Sequence, residues 1–116
     1  MKKLLILLLL SLGFIGVTSA GEVDTNISKL KASNACVSCN LSRTYLSKAN
    51  LKEADLNRAI LNYADLREAT LVAADLSEAR LNGTNLSGAS LSSANLSEVK
   101  LCKTIMPNGF NDNSGC

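Results

Sequence analysis

The chain has 116 residues, enough for one small domain, and its 12 Lys and Arg against 10 Asp and Glu give a net charge of +2. Two of those cations, Lys2 and Lys3, lie in an N-terminal segment that we expect to be removed, which leaves a nearly neutral chain. This charge argues against a nucleic-acid binder with a basic face and against an acidic mimic of nucleic acid. Because His is absent, the commonest general base and the commonest imidazole metal ligand are missing, and we expect no enzymatic activity, no cofactor and no metal site.

Residues 1–20 have the pattern of a secretory signal peptide. Lys2 and Lys3 precede an apolar run from Leu4 to Val17, and small residues precede a cleavage site after Ala20. A retained membrane anchor is the alternative, but this run is shorter than the roughly 20 residues needed to span a bilayer. A lipoprotein is less favoured, because the first cysteine lies well beyond the run. We therefore expect an exported protein, periplasmic or secreted, with no stable membrane span after cleavage.

Residues 21–38 are predicted to form an N-terminal cap. Asp24 or Thr25 is a suitable first residue for a short helix that places Ile27 and Leu30 on one side. Such a cap is expected because the open end of a stack of strands invites aggregation unless it is covered.

A five-residue period organises residues 39–103. Alanine or another small residue stands two positions before each repeated Leu, and Asp or Asn stands one position before it at 40, 50, 55, 65, 75, 85 and 95. An α-helix would spiral the leucines around its axis and a flat strand would alternate them between faces, so neither could bury them together. A coil that turns by the same angle every five residues points each Leu to a common interior. The predicted core leucines are Leu41, Leu46, Leu51, Leu56, Leu61, Leu66, Leu71, Leu76, Leu81, Leu86, Leu91, Leu96 and Leu101.

Several stretches resemble the Ala-(Asp/Asn)-Leu-x-x unit of the pentapeptide-repeat family, among them Ala54-Asp55-Leu56-Asn57-Arg58, Ala64-Asp65-Leu66-Arg67-Glu68 and Ala94-Asn95-Leu96-Ser97-Glu98. The resemblance implies an all-β fold, a right-handed quadrilateral β-helix with four pentads per coil. Thirteen pentads would then make about three coils, in which each Leu rests on the Leu twenty residues away. The segments that flank the repeats resemble those of exported, cysteine-capped members.

The inward and outward positions differ in the substitutions that they should tolerate. Leu76→Lys is expected to unfold the domain, and Ala74→Phe to overpack it. Ser77→Lys is expected to be nearly neutral, because the repeat points residue 77 into solvent.

Residues 104–116 are predicted to form a C-terminal capping tail. Pro107-Asn108-Gly109 is a turn signal, and Phe110 is expected to lie across the last coil.

Four cysteines permit three pairings. Continuing the period places Cys36 and Cys39 at inward positions of the first coil, whereas Cys102 points outward near the tail that ends in Cys116. Pairing between the two ends would cross about three coils, beyond the roughly 7 Å limit between α-carbons. We therefore favour Cys36 with Cys39 and Cys102 with Cys116, with free buried thiols and redox or metal chemistry as alternatives.

Asp55, Asp65 and Asp75 are interpreted as a solvated face rather than as catalytic carboxylates. The period places no aromatic or basic partner beside them that would shift their pKa values. The four-sided register that the family resemblance implies predicts exposed ion pairs between Lys48 and Glu68 and between Arg58 and Glu78.

Tyr63 is the residue that we expect to contact a partner, because it lies at an outward position between Arg43 and Gly83. The favoured function is an exported, non-enzymatic scaffold that binds another protein or serves a structural role. The family resemblance implies an alternative, inhibition of a nucleic-acid enzyme by mimicry of DNA, which the neutral charge and the export signal disfavour. We expect no nucleic-acid partner, and the oligomeric state stays open.

Overall fold

The computed structural model describes residues 19–116, so the predicted signal peptide lies, apart from its last two residues, outside the described residues. A helix, α1, spans Ser19–Ser33, and a short hairpin near the C-terminus pairs β1, Thr104–Ile105, with β2, Asn111–Asp112. Between the helix and the hairpin, the backbone forms a stack of coils built from short turns and isolated parallel bridges.

Each coil takes twenty residues. Parallel bridges join residues twenty apart, from Ala35 with Asp55 to Asn85 with Ile105. The backbone N–H of Leu56 donates to the carbonyl of Asp75 at 2.8 Å, and the N–H of Asp75 donates back to Ala54 at 2.9 Å. Twenty residues hold four pentads, so each coil has four sides, and the ladder makes between three and four coils. It begins four residues before the expected boundary at 39 and ends two residues beyond 103.

The chain turns at the second residue after each Leu. Non-glycine residues at these corners have φ between 53° and 61°, as at Arg43, Tyr63 and Glu78. A backbone hydrogen bond closes most of these turns, such as the one from the N–H of Ala59 to the carbonyl of Leu56 at 3.0 Å. Because non-glycine residues rarely adopt positive φ, the ladder and the core must impose this conformation.

The Asp or Asn before each Leu caps the turn that follows it. At all seven positions identified in the sequence, the Oδ1 atom accepts a hydrogen bond from the backbone N–H two residues later, at 2.9–3.2 Å. The side chain thereby satisfies a backbone donor that the coil ladder does not use. This turn-capping hydrogen bond therefore explains why Asp or Asn recurs at the position before Leu.

The leucines from Leu41 to Leu86 are buried, and they pack with the small inward residues in one continuous core. Leu91, Leu96 and Leu101 are only half-buried, because no further coil lies beneath them. Two of the small inward positions, and the next position that the period reaches beyond the last repeated Leu, hold threonines. Each buried hydroxyl donates to a leucine carbonyl at 2.7 or 2.8 Å, so none is left without a partner. These residues are Thr44, Thr84 and Thr104.

Helix α1 covers part of the first coil. Leu30 is buried against the core, and the Asn26 amide donates to the carbonyl of Asn40 at 2.9 Å. The expected helix start at Asp24 or Thr25 is wrong, since both lie inside α1 and the Thr25 hydroxyl donates to Gly21. The contacts of α1 with the coil come from its later part, at Asn26, Ile27 and Leu30. Within residues 19–116, no helix has the length and apolar character needed to cross a membrane.

The C-terminal tail does not cover the last coil with Phe110, so that expectation is wrong. Hydrogen bonds between Met106 and Phe110 and between Gly109 and Met106 close a tight turn, which leaves the Phe110 ring 74% exposed. The tail instead approaches the coil at Gly115, whose N–H donates to the carbonyl of Leu101 at 2.6 Å. A Cβ atom at position 115 would lie 2.9 Å from the Leu101 nitrogen, so only glycine permits this approach.

Ser77 is not the neutral outward position that the repeat predicts. Its hydroxyl donates to Asp75 and accepts from the Asn57 amide at 2.8 Å. Lys at this position would remove both bonds, so Ser92, which is exposed and forms no side-chain hydrogen bond among the described residues, is the better control.

Leu76→Lys is expected to unfold the coil, because it places a charge in the centre of the core. Ala74→Phe is expected to lower the free energy of unfolding by about 1–3 kcal/mol through overpacking, and Ser92→Lys to change it by less than about 0.5 kcal/mol. Chemical denaturation of the three variants measures these differences. Equal losses in all three would contradict the assignment of inward and outward positions.

Candidate functional site

Tyr63 is held in place on one side of the coil. This side consists of residues 40–43, 60–63, 80–83 and 100–103, and we call it the basic side, because its charged residues are Arg43, Arg80, Lys100 and Lys103. The Tyr63 side chain is 60% exposed, and the guanidinium carbon of Arg43, one coil earlier, lies 4.9 Å from the ring centroid. One coil later, a Cβ atom added to Gly83 would lie 2.5 Å from the ring. An exposed aromatic ring is therefore fixed between a cation and a bare backbone.

Tyr45 provides a contrast on the next side of the coil. Its side chain is 89% exposed, and no cation lies over its ring in the part of the chain that the structure describes. Of the two exposed tyrosines, Tyr63 is therefore held in place by its neighbours in the adjacent coils, and Tyr45 is not.

All four cysteines are paired. Cys36 bonds to Cys39 with the α-carbons 5.2 Å apart, and Cys102 bonds to Cys116 with the α-carbons 4.7 Å apart. The first pair is buried in the first coil, and the second ties the tail to the last coil. No free thiol is left, and residues 19–116 contain no group of three or more His, Cys, Asp or Glu residues able to hold a metal ion.

The aspartates of the coil serve as hydrogen-bond acceptors. The Arg67 guanidinium donates to both carboxylate oxygens of Asp65 at 2.7 and 2.8 Å and lowers the pKa of that carboxyl. This basic neighbour contradicts the expectation that none lies beside these residues, because Arg67 folds back along its own pentad. Hydrogen bonds from Ser77 lower the pKa of Asp75. A lowered pKa keeps both groups ionised, which fits turn capping better than proton donation.

Two of the ion pairs join neighbouring coils at the corners, where the register predicts them. Lys48 Nζ lies 3.7 Å from Glu68, and Arg58 Nε lies 3.1 Å from Glu78. Both pairs are largely exposed, so each contributes only about 0–1 kcal/mol to stability.

The coil matches a family model described as pentapeptide repeats, in eight copies over residues 39–77 and 69–106. No curated protein sequence is significantly similar to the chain. Among solved structures, the chain is 32% identical to HetL, with a TM-score of 0.66, and the match covers 67% of this chain and 36% of HetL. HetL is a pentapeptide repeat protein involved in heterocyst differentiation regulation from the cyanobacterium Nostoc sp. strain PCC 7120. A pentapeptide repeat protein from the Arabidopsis thaliana thylakoid lumen is 28% identical, with a TM-score of 0.61 over 63% of this chain and 51% of its own.

The chain therefore spans between about a third and a half of the length of these two proteins. The similarity implies a right-handed quadrilateral β-helix, and the twenty-residue register of four pentads agrees with that architecture.

Replacing Cys102 and Cys116 by Ser is expected to lower the free energy of unfolding by about 3 kcal/mol, because the bond closes a loop with a sequence separation of 14. Cys36→Ser with Cys39→Ser removes a much shorter loop, with a separation of 3, for which the same chain-entropy model gives about 2 kcal/mol. Denaturant unfolding with and without reductant measures both losses. A wild-type protein whose stability is insensitive to reductant would contradict the prediction.

Acid is expected to destabilise the fold. The folded-state pKa values of Asp65, Asp75 and Asp112 are lowered by hydrogen bonds from Arg67, Ser77 and Ser114. Their contribution is complete above the ordinary Asp pKa of about 3.9 and is lost as the pH falls through the lowered values. The melting temperature should therefore stay nearly constant between about pH 5 and 7 and should decrease when the pH is lowered below about 4. This decrease should be less steep in the Asp75→Asn variant than in the wild type. A rise on acidification would refute this account.

Proposed function

Because the chain belongs to the pentapeptide-repeat family, we propose that it is an exported, non-enzymatic scaffold that binds another protein through the basic side of its coil. Proteins of this family are structural scaffolds and are generally not enzymes. The family alone does not say which surface is used, so the proposal rests on the side chains that this coil presents.

The fixed ring of Tyr63 is the observation that carries the proposal. Binding usually costs conformational entropy, because exposed side chains lose their freedom when a partner covers them. Tyr63 has already lost much of that freedom between Arg43 and Gly83, yet most of its surface is still open to a partner. A rigid, exposed tyrosine next to an arginine has the composition of a binding hot spot.

Two features support export. Residues 1–20 have the three-part pattern of a signal peptide, and both disulfides are of the kind that persists in oxidising compartments. The neighbour from Arabidopsis is itself a protein of the thylakoid lumen. A periplasmic or secreted location is therefore part of the proposal.

Tyr63→Ala tests the binding role. The full chain and its variants, attached to a resin, are exposed to the proteins of the exported fraction of the native host. We expect the Tyr63→Ala variant to capture at least about tenfold less of the specific partner than the wild type does. Gly83→Ala should also weaken capture, because the added Cβ displaces the ring without removing it.

Tyr45→Ala is the matched control, since it removes an even more exposed tyrosine from another side. Unfolding curves show that each variant is folded. Capture that survives Tyr63→Ala, or that falls equally in Tyr45→Ala, would refute the proposed binding surface.

A further inference from the structure

The basic side carries a concentrated positive charge. Arg43, Arg80, Lys100 and Lys103 all lie on it, and all four are exposed. Arg80 and Lys100 are bridge partners in consecutive coils, so their backbones lie about 4.8 Å apart. None of the residues 40–43, 60–63, 80–83 and 100–103 is Asp or Glu.

These four cations have no ion-pair partner among the described residues. The three ion pairs of residues 19–116 involve Lys48, Arg58 and Arg67, and all three lie outside the basic side. The one acidic residue of the tail, Asp112, accepts a hydrogen bond from the backbone N–H of Ser114 and is not part of any of these ion pairs. Like charges stacked in neighbouring coils repel one another, so an approaching anionic group would relieve this repulsion.

The adjacent side of the coil has the opposite charge. Residues 55–58, 75–78 and 95–98 contain Asp55, Asp75, Glu78 and Glu98 against the single cation Arg58. The small net charge of the whole chain therefore conceals two oppositely charged sides, one with four cations and no acidic residue and one with four acidic residues and one cation. A partner that meets only one side experiences a strong field of one sign.

We infer that the basic side binds an acidic segment of a partner protein that contacts both Tyr63 and the cations in the coils before and after it. This inference rests on the proposed scaffold function and names the chemistry of the partner. Protein interfaces are enriched in Tyr and Arg, and complementary charge gives them specificity. Nucleic acid is a poorer fit, because its affinity grows with the number of phosphates that Lys and Arg neutralise, and this side offers four cations.

Polyglutamate serves as the probe for this chemistry. Binding of the full chain to polyglutamate is measured at low and at physiological salt, for the wild type and for Arg80→Glu with Lys100→Glu. We expect the variant to bind at least about tenfold more weakly, and the wild-type affinity to fall as salt rises. The matched control is Lys31→Glu with Lys52→Glu, which makes the same change in net charge at exposed positions outside the basic side.

The control variant should keep most of the wild-type affinity. Equal weakening in both variants, or no binding of polyglutamate at low salt, would overturn the inference. Tighter binding of single-stranded DNA or of vesicles rich in phosphatidylglycerol than of polyglutamate would overturn the assignment to an acidic protein.

The host-fraction capture experiment separates this inference from the proposed function. Loss of the captured partner in both Tyr63→Ala and Arg80→Glu with Lys100→Glu supports both. If capture depends on Tyr63 but survives the charge reversal, the scaffold function stands and the acidic partner is refuted.

Discussion

The backbone ladder between residues twenty apart is the constraint on which the whole structure depends. The N–H of Leu61 reaches the carbonyl of Arg80, and the same bond recurs along the coil, so every pentad must turn by the same angle. That requirement puts one Leu per pentad into the interior and holds non-glycine corner residues at positive φ. The hydrogen bonds and the leucine core jointly offset the conformational cost of these corners.

The ladder also stacks the residues of successive coils in columns along each side. Residues twenty apart become neighbours on one side, which is how Arg43, Tyr63 and Gly83 come to support one another. A filled coil presents flat sides, so its function must come from the side chains that these columns bring together. The fixed Tyr63 and the segregation of charge are both consequences of the register.

The five-residue period was sufficient to predict the inward leucines. The place of Tyr63 between Arg43 and Gly83 and the pairs of Lys48 with Glu68 and Arg58 with Glu78 needed in addition the four pentads per coil that the family resemblance implies, because they depend on which residues lie one coil apart. The ends of the molecule were not predictable in this way. Helix α1 lies outside the repeats, and the position of Phe110 depends on turn hydrogen bonds that no repeat specifies. The bond from Arg67 to Asp65 was missed because it forms within one pentad. The basic side was missed because total charge was considered, although placing Arg80 and Lys100 in one column would have found it.

Nuclear magnetic resonance tests the register most directly, through proton–proton contacts in the full chain. The structure predicts backbone contacts between residues twenty apart, such as Asp55 with Asp75 and Ile60 with Arg80. Contacts between residues three or four apart throughout 39–103, as in an α-helix, with none at a separation of twenty, would contradict the coil and every site built on it.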